Sequence, residues 1–172
     1  MKNVFQKILG ASLLLFLFLG FSACSKTDEL KEVREYNNAI IAIQEKMLMD
    51  VSDTTSALSN RRLKVREALP EVEKMQTIIQ QNFDQFKEVK VPKGAEDLNA
   101  AMQNFFEVET ANGQLLGNAY ANLLEHENDR QLRDNLTSVL ETIASNENQA
   151  LAHFDEVQKQ VAKKYSETVE GK

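Results

Sequence analysis

From Thr27 onward apolar residues recur at three- and four-residue spacing almost without interruption, and that rhythm confines the chain to amphipathic helices packed on one another. Only Pro70 and Pro92 break it, and no segment alternates with period two, so no sheet is predicted. The first stripe runs Leu30, Val33, Tyr36 or Asn37, Ile40, Ile43, Met47 and Val51, ending near Ala57. Thr27 caps this helix, with Asp28 and Glu29 where the helix dipole favours negative charge. After a turn at 56–60, a second helix spans about 61–89 on Leu63, Leu69, Val72, Met75, Ile79, Phe83 and Phe86, and Pro70 marks either a kink in it or its true start. Pro92 and Gly94 make 89–94 a loop. Helix three, about 95–127, uses Leu98, Ala101, Phe105, Val108, Leu115, Ala119 and Asn122 or Leu123. Helix four, about 129–169, uses Leu132, Leu136, Val139, Ile143, Ala150, Phe154, Val157, Val161 and Tyr165. Short connections make neighbours antiparallel, which predicts an all-α, up-down-up-down four-helix bundle over residues 28–169 with a tail at 170–172.

Ahead of the bundle stands a different kind of segment. Lys2 and Lys7 give a basic start, Ile8 to Phe21 is a nearly unbroken apolar run, and Ser22-Ala23-Cys24 follows. The run is shorter than the ~20 residues a bilayer-crossing helix needs, and small residues precede a cleavage point, as in a secretory signal. The only cysteine of the chain falls at that point. The layout resembles the lipobox of a bacterial lipoprotein, which implies cleavage between Ala23 and Cys24, residues 1–23 as a signal peptide removed in processing, acylation of Cys24, and residues 24–27 as a short tether. Two or three acyl chains would anchor it stably, each buried CH₂ being worth ~0.8 kcal/mol.

Removing the leader leaves 149 residues, enough for one domain, and the net charge of −6 falls to −8 because Lys2 and Lys7 leave with it. An acidic body argues against nucleic acid as a partner, since that binding rests on neutralising phosphates. No cysteine remains for a disulfide, so stability must come from packing.

Asn112 and Asn146 fall on the inward stripes of helices three and four at comparable distances from their shared turn. Two readings stand. The pair can bond to each other or to a buried water and fix which helices meet. Alternatively they line a polar pocket, opened by the missing side chains of Gly113 and Gly117, with Met47 and Pro70 at similar height. The four phenylalanines Phe83, Phe86, Phe105 and Phe106 are expected to join helices two and three near their loop, Phe106 having the least settled phase.

Chemistry-bearing patterns are sparse. Three residues before His126 and His153 stand Leu123 and Ala150, so the Glu-x-x-His pairs of di-iron bundles are missing, and one cysteine cannot supply Cys-x-x-Cys-His for covalent haem. Met47 or Met49 with His153 is the remaining haem pairing, against which stands the common use of methionine as core filler. No nucleophile elbow, phosphate loop or zinc-binding His-Glu-x-x-His occurs. Glu107 with Glu109, and Glu125 with Glu127, are two apart, point to different helix faces, and read as solvated surface. The sequence thus calls for no catalytic residue, cofactor or metal.

The tether orients the bundle. With only Ser25 and Lys26 between Cys24 and the first cap, the start of helix one sits near the bilayer, and alternation brings Lys90, Lys93, Lys163 and Lys164 to the same end, facing headgroups. The Tyr36-Asn37-Asn38 start of an apolar helix and the segment 94–106 are also similar to small helical surface lipoproteins of diderm bacteria, a group that implies no catalytic residues. The expectation is a noncatalytic envelope lipoprotein at the outer membrane or cell surface, held by its lipid and binding an envelope or surface protein or serving as a structural element. The alternative is a carrier of a small apolar or haem-like ligand between the helices.

Overall fold

Four amphipathic stripes separated by short breaks fold into four helices in the computed structural model, which describes residues 27–58, 64–126 and 130–170. The helices are α1 (Thr27–Leu58), α2 (Val65–Lys87), α3 (Glu96–Glu125) and α4 (Arg130–Glu170), and among the described residues there is no strand. Close backbone approach runs from α1 to α2, α2 to α3 and α3 to α4, as an up-down-up-down four-helix bundle requires. Long side chains bridge the remaining seam: Gln158 Nε2 of α4 donates to Asn37 Oδ1 of α1 at 2.9 Å, and the Tyr165 hydroxyl donates to Glu29 Oε1 at 3.3 Å. Across the diagonal, the Tyr36 hydroxyl donates to Asn99 Oδ1 of α3 at 2.8 Å, and burial pushes that phenol up to about 12. The leader, Ala23 and Cys24 lie outside the described residues.

The α2 start is set by its own sequence. Glu67 Oε2 reaches back to accept from the Lys64 N–H at 3.1 Å, while the Glu67 and Ala68 N–H groups close on the Lys64 carbonyl. The helix therefore begins at Val65, and Pro70 lies inside it rather than at its start. The missing proline N–H leaves the Arg66 carbonyl without a helical donor, which is tolerable because Arg66 and Pro70 are both exposed to water. At the other end of α2 the chain turns through Gly94, whose φ of 89° favours glycine. A side chain there would also collide with the Tyr165 hydroxyl, so close packing of the loop on α4 imposes the same residue.

Apolar burial is densest beside this loop. Phe106 stacks on Phe83 and Phe86 with ring centroids 5.4 Å apart in each pair, and meets Phe105 edge-on at 5.6 Å. Phe105 and Phe106 are both fully buried, which settles the phase of Phe106. Truncating Phe106→Ala is expected to destabilise the protein by about 3–5 kcal/mol, whereas exposed Met49→Ala is expected to fall within about 0.5 kcal/mol of the parent. Urea unfolding followed by circular dichroism checks both, and equal costs would contradict the packing described.

Candidate functional site

Away from the phenylalanine cluster the core changes character. The inward phase of α3 runs Leu98, Ala101, Met102, Phe105, Phe106, Glu109, Asn112, Gly113, Leu116, Tyr120 and Leu123. Glu109 is therefore inside, only 9% exposed, and the reading of it as solvated surface is corrected. Val108, which the apolar pattern assigned to the core, is half-buried beside it. On α4, Glu147 is 4% exposed, one residue past Asn146, so an inward pair of ionisable groups does exist where the sequence stripes placed none.

A cavity of about 60 Å³ lies against this pair. Its walls come from all four helices: Met47 and Thr55 of α1, Met75 and Ile79 of α2, Glu109, Asn112, Gly113 and Leu116 of α3, and Leu140, Ile143 and Glu147 of α4. Half-buried Leu48, Val51 and Ser52 form a rim on α1. Leu48 and Ser52 lie on the side of α1 that carries Asn37, so the rim faces the seam with α4.

Within this layer Asn146 Nδ2 donates to Asn112 Oδ1 at 3.0 Å, tying α3 to α4. The bond occupies the oxygen of the Asn112 amide and leaves its nitrogen, which like Glu109 Oε1 is buried with no hydrogen-bond partner. Asn112 is 3% exposed. Burial raises the Glu109 carboxyl well above the ordinary carboxylate range, with the neighbouring Asn112 amide pulling the other way. Burial raises Glu147 likewise, and the negative charge of Glu109 raises it further. Two carboxylates in an apolar layer cannot both ionise cheaply, so the pair retains a proton near neutral pH. The arrangement can share a proton, accept hydrogen bonds through Glu109 and donate one through Asn112.

Of the residues singled out from sequence, Met47, Asn112 and Gly113 line the cavity, and Asn146 sits behind Asn112 as its partner. Gly117 does not line it. The space beside Gly117 is filled by Gln76, whose Nε2 donates to the Gly113 carbonyl at 2.8 Å, so the glycines admit a side chain of α2 rather than a ligand. Pro70 is exposed on α2 and takes no part, because the phase of that helix turns Ala68 and Val72 inward instead. Met49 is 73% exposed and His153 is exposed, so neither faces the bundle interior where a haem pairing was considered. Among the described residues no group of three or more histidine, cysteine, aspartate or glutamate side chains is arranged to hold a metal ion.

At the opposite end, Glu29 draws the loop, α1 and α4 together. It accepts from Tyr165, and Lys93 Nζ lies 3.7 Å from its Oε2. Glu96 accepts from the Gly94 N–H at 2.9 Å, and backbone N–H groups hold its carboxyl low, with Lys164 and Lys93 adding smaller pulls. Lys90, Lys93, Lys163 and Lys164 are all exposed. Between the first two stands Val91, 38% exposed.

No family model, curated protein or solved structure matches this chain. Among the described residues no helix is long and apolar enough to cross a membrane.

The raised carboxylates fix the sign of a pH dependence. The folded state binds more protons than the unfolded chain between about pH 4.5 and about pH 8, so stability falls as pH rises through that window. Melting is expected to be higher at about pH 5 than at about pH 8.5, and Glu147→Gln should flatten the difference, stabilising the basic end on the order of 2 kcal/mol. A melting temperature that climbs from pH 5 to pH 8.5 in the parent protein would contradict the buried pair.

Proposed function

We propose that this chain is a noncatalytic, lipid-anchored helical bundle of a bacterial envelope, standing on the membrane by its lysine-rich end and serving as a protein-binding or structural element at the outer membrane or cell surface. One observation carries the orientation. Half-exposed Val91 sits between Lys90 and Lys93 in the loop that packs against the first turn of α1 and against Tyr165 of α4. An apolar residue flanked by ammonium groups suits a headgroup boundary, where each basic group near an anionic surface is worth ~1 kcal/mol. Glu29 and Glu96 offset part of that attraction through Lys93 and Lys164. The lipid expected on Cys24 supplies the lasting anchor and the loop sets which end faces it. The far ends of α1 and α3 then project toward partners. A 30-residue helix at 1.5 Å per residue reaches about 45 Å.

A second reading, a carrier of a small ligand, is favoured by the cavity between the helices. Its size and its lining of methionine, leucine and isoleucine, with no histidine among the residues that form it, narrow that reading to small ligands rather than haem. Native mass spectrometry of protein purified from its own envelope tests it directly, since a carrier should retain a small adduct.

The anchored reading is tested in cells and on vesicles. Protease on intact cells should digest the lipidated protein, permeabilised cells should show the same product, and Cys24→Ala should release the bundle from the membrane. On anionic vesicles the Cys24→Ala protein should bind weakly, and Lys90→Glu with Lys93→Glu should reduce that binding by about tenfold or more. Vesicle binding unchanged by the double reversal would remove the proposed orientation.

A further inference from the structure

Three features of the cavity layer act together. Glu109 Oε1 is a buried acceptor with no partner, Asn112 Nδ2 is a buried donor with no partner, and both residues line one cavity with Glu147 beside them. Asn146 of α4 donates to the Asn112 oxygen. The donor that remains lies beside the Glu109 carboxyl, which it pulls down against the effect of burial, in the wall of the cavity. A ligand that completes this layer must carry positive charge for the carboxylates, N–H groups for Glu109, and an oxygen that accepts from Asn112.

We propose that this cavity binds a small free organic cation, an ammonium compound bearing a hydroxyl or ether oxygen, with Glu109 and Glu147 holding the ammonium and Asn112 donating to the oxygen. A bare metal ion is the poorer fit. A hard cation takes six or more oxygens, whereas the Asn112 oxygen is already engaged and the remaining walls are largely thioether and aliphatic. Those walls suit the short carbon chain of an amine instead. The cation comes from solution rather than from a lipid headgroup. Met47 stands 20 residues along α1 from Thr27, about 30 Å up the bundle from the lysine-rich end. The rim at Leu48 and Ser52, facing the α1–α4 seam, gives the approach.

Binding also has a proton consequence. Glu109 of α3 and Glu147 of α4 are the titratable groups in the lining, while α1 and α2 contribute uncharged side chains to it. An ammonium group that pairs with both carboxylates displaces the proton that the pair retains. The proton leaves to buffer, and affinity rises with pH until the amine itself loses its charge.

This inference rests on the carrier reading, and the test separates the two. Ethanolamine is titrated calorimetrically into the folded mature protein, beside ethylene glycol as its uncharged counterpart, in two buffers of different ionisation enthalpy. Expected are saturable binding of ethanolamine, negligible binding of the glycol, and an apparent heat that changes with buffer because a proton is released. Glu109→Gln is expected to weaken binding by about tenfold to a hundredfold, the loss of a charge-assisted hydrogen bond, with its fold checked by circular dichroism. Should that variant not fold, the amine and glycol comparison on the parent protein decides alone. Equal binding of the two compounds, or an affinity unmoved in folded Glu109→Gln, overturns the assignment. If ethanolamine fails while xenon enters the cavity by NMR, the cation inference falls and a small apolar carrier stands. If neither enters, both fall.

Discussion

Everything in this bundle depends on burying four apolar stripes against one another, because residues 27–172 hold no cysteine to cross-link them. That burial is not spread evenly. Beside the 88–95 connection, Phe106 meets three other rings, and Tyr36 and Asn99 close a bond across the diagonal. Near the middle of α3 and α4 the core contains two carboxylates, an asparagine pair and a cavity. Tight packing in the first region fixes the register of α2 on α3, and the second region inherits that register. A carboxylate at 109 is inside because the rings at 105 and 106 leave the helix no other phase.

The helices themselves were plain from spacing, since apolar residues three and four apart leave little choice of secondary structure, and the break at 89–94 agrees with the observed ends of α2 and α3, whereas α1 stays helical to Leu58 and α2 begins at Val65, not near 61. The first limits were set by local chemistry. Pro70 invited a helix start, yet Glu67 already caps one at Lys64 and the exposed position of the proline makes its missing bond cheap. The site was less legible for a different reason. A stripe drawn through apolar residues follows Val108 and Leu115, whereas the helix turns Glu109, Asn112 and Leu116 inward. One residue of error rotates a helix by about 100°. Asn112 was recognised because it lies on both versions of the stripe. Glu109 and Glu147 were missed because a polar residue at a core phase looks like an interruption. Counting 105, 109, 112 and 116 as one continuous i, i+4, i+7 run is the signal that would have found the first of them.

The glycines show the same limit from the other side. Gly113 and Gly117, four apart on an inward face, suggest open space, and the space exists. What occupies it is Gln76, a long side chain of the neighbouring helix that bonds the Gly113 carbonyl. Small residues on a helix license close approach, and sequence cannot tell whether backbone, side chain or solute approaches. The cavity proper is walled by Gly113 together with Met47, Ile79, Leu140 and Ile143, and methionine and leucine fall short of filling the layer.

Two buried carboxylates are difficult to justify as structure. Replacing a buried charged group with a well-packed apolar one is often neutral or stabilising, and a leucine at each position would also remove the repulsion that raises Glu147. The asparagine pair already specifies how α3 meets α4, so the carboxylates are not required for that choice. They line, moreover, a cavity with half-buried Leu48 and Ser52 at its rim, rather than sitting in the phenylalanine cluster. A polar layer kept apart from the phenylalanine cluster, with its orphan atoms in residues that wall a cavity and the cluster packed tightly enough to tolerate it, is the distribution expected when a bundle must hold something as well as stand.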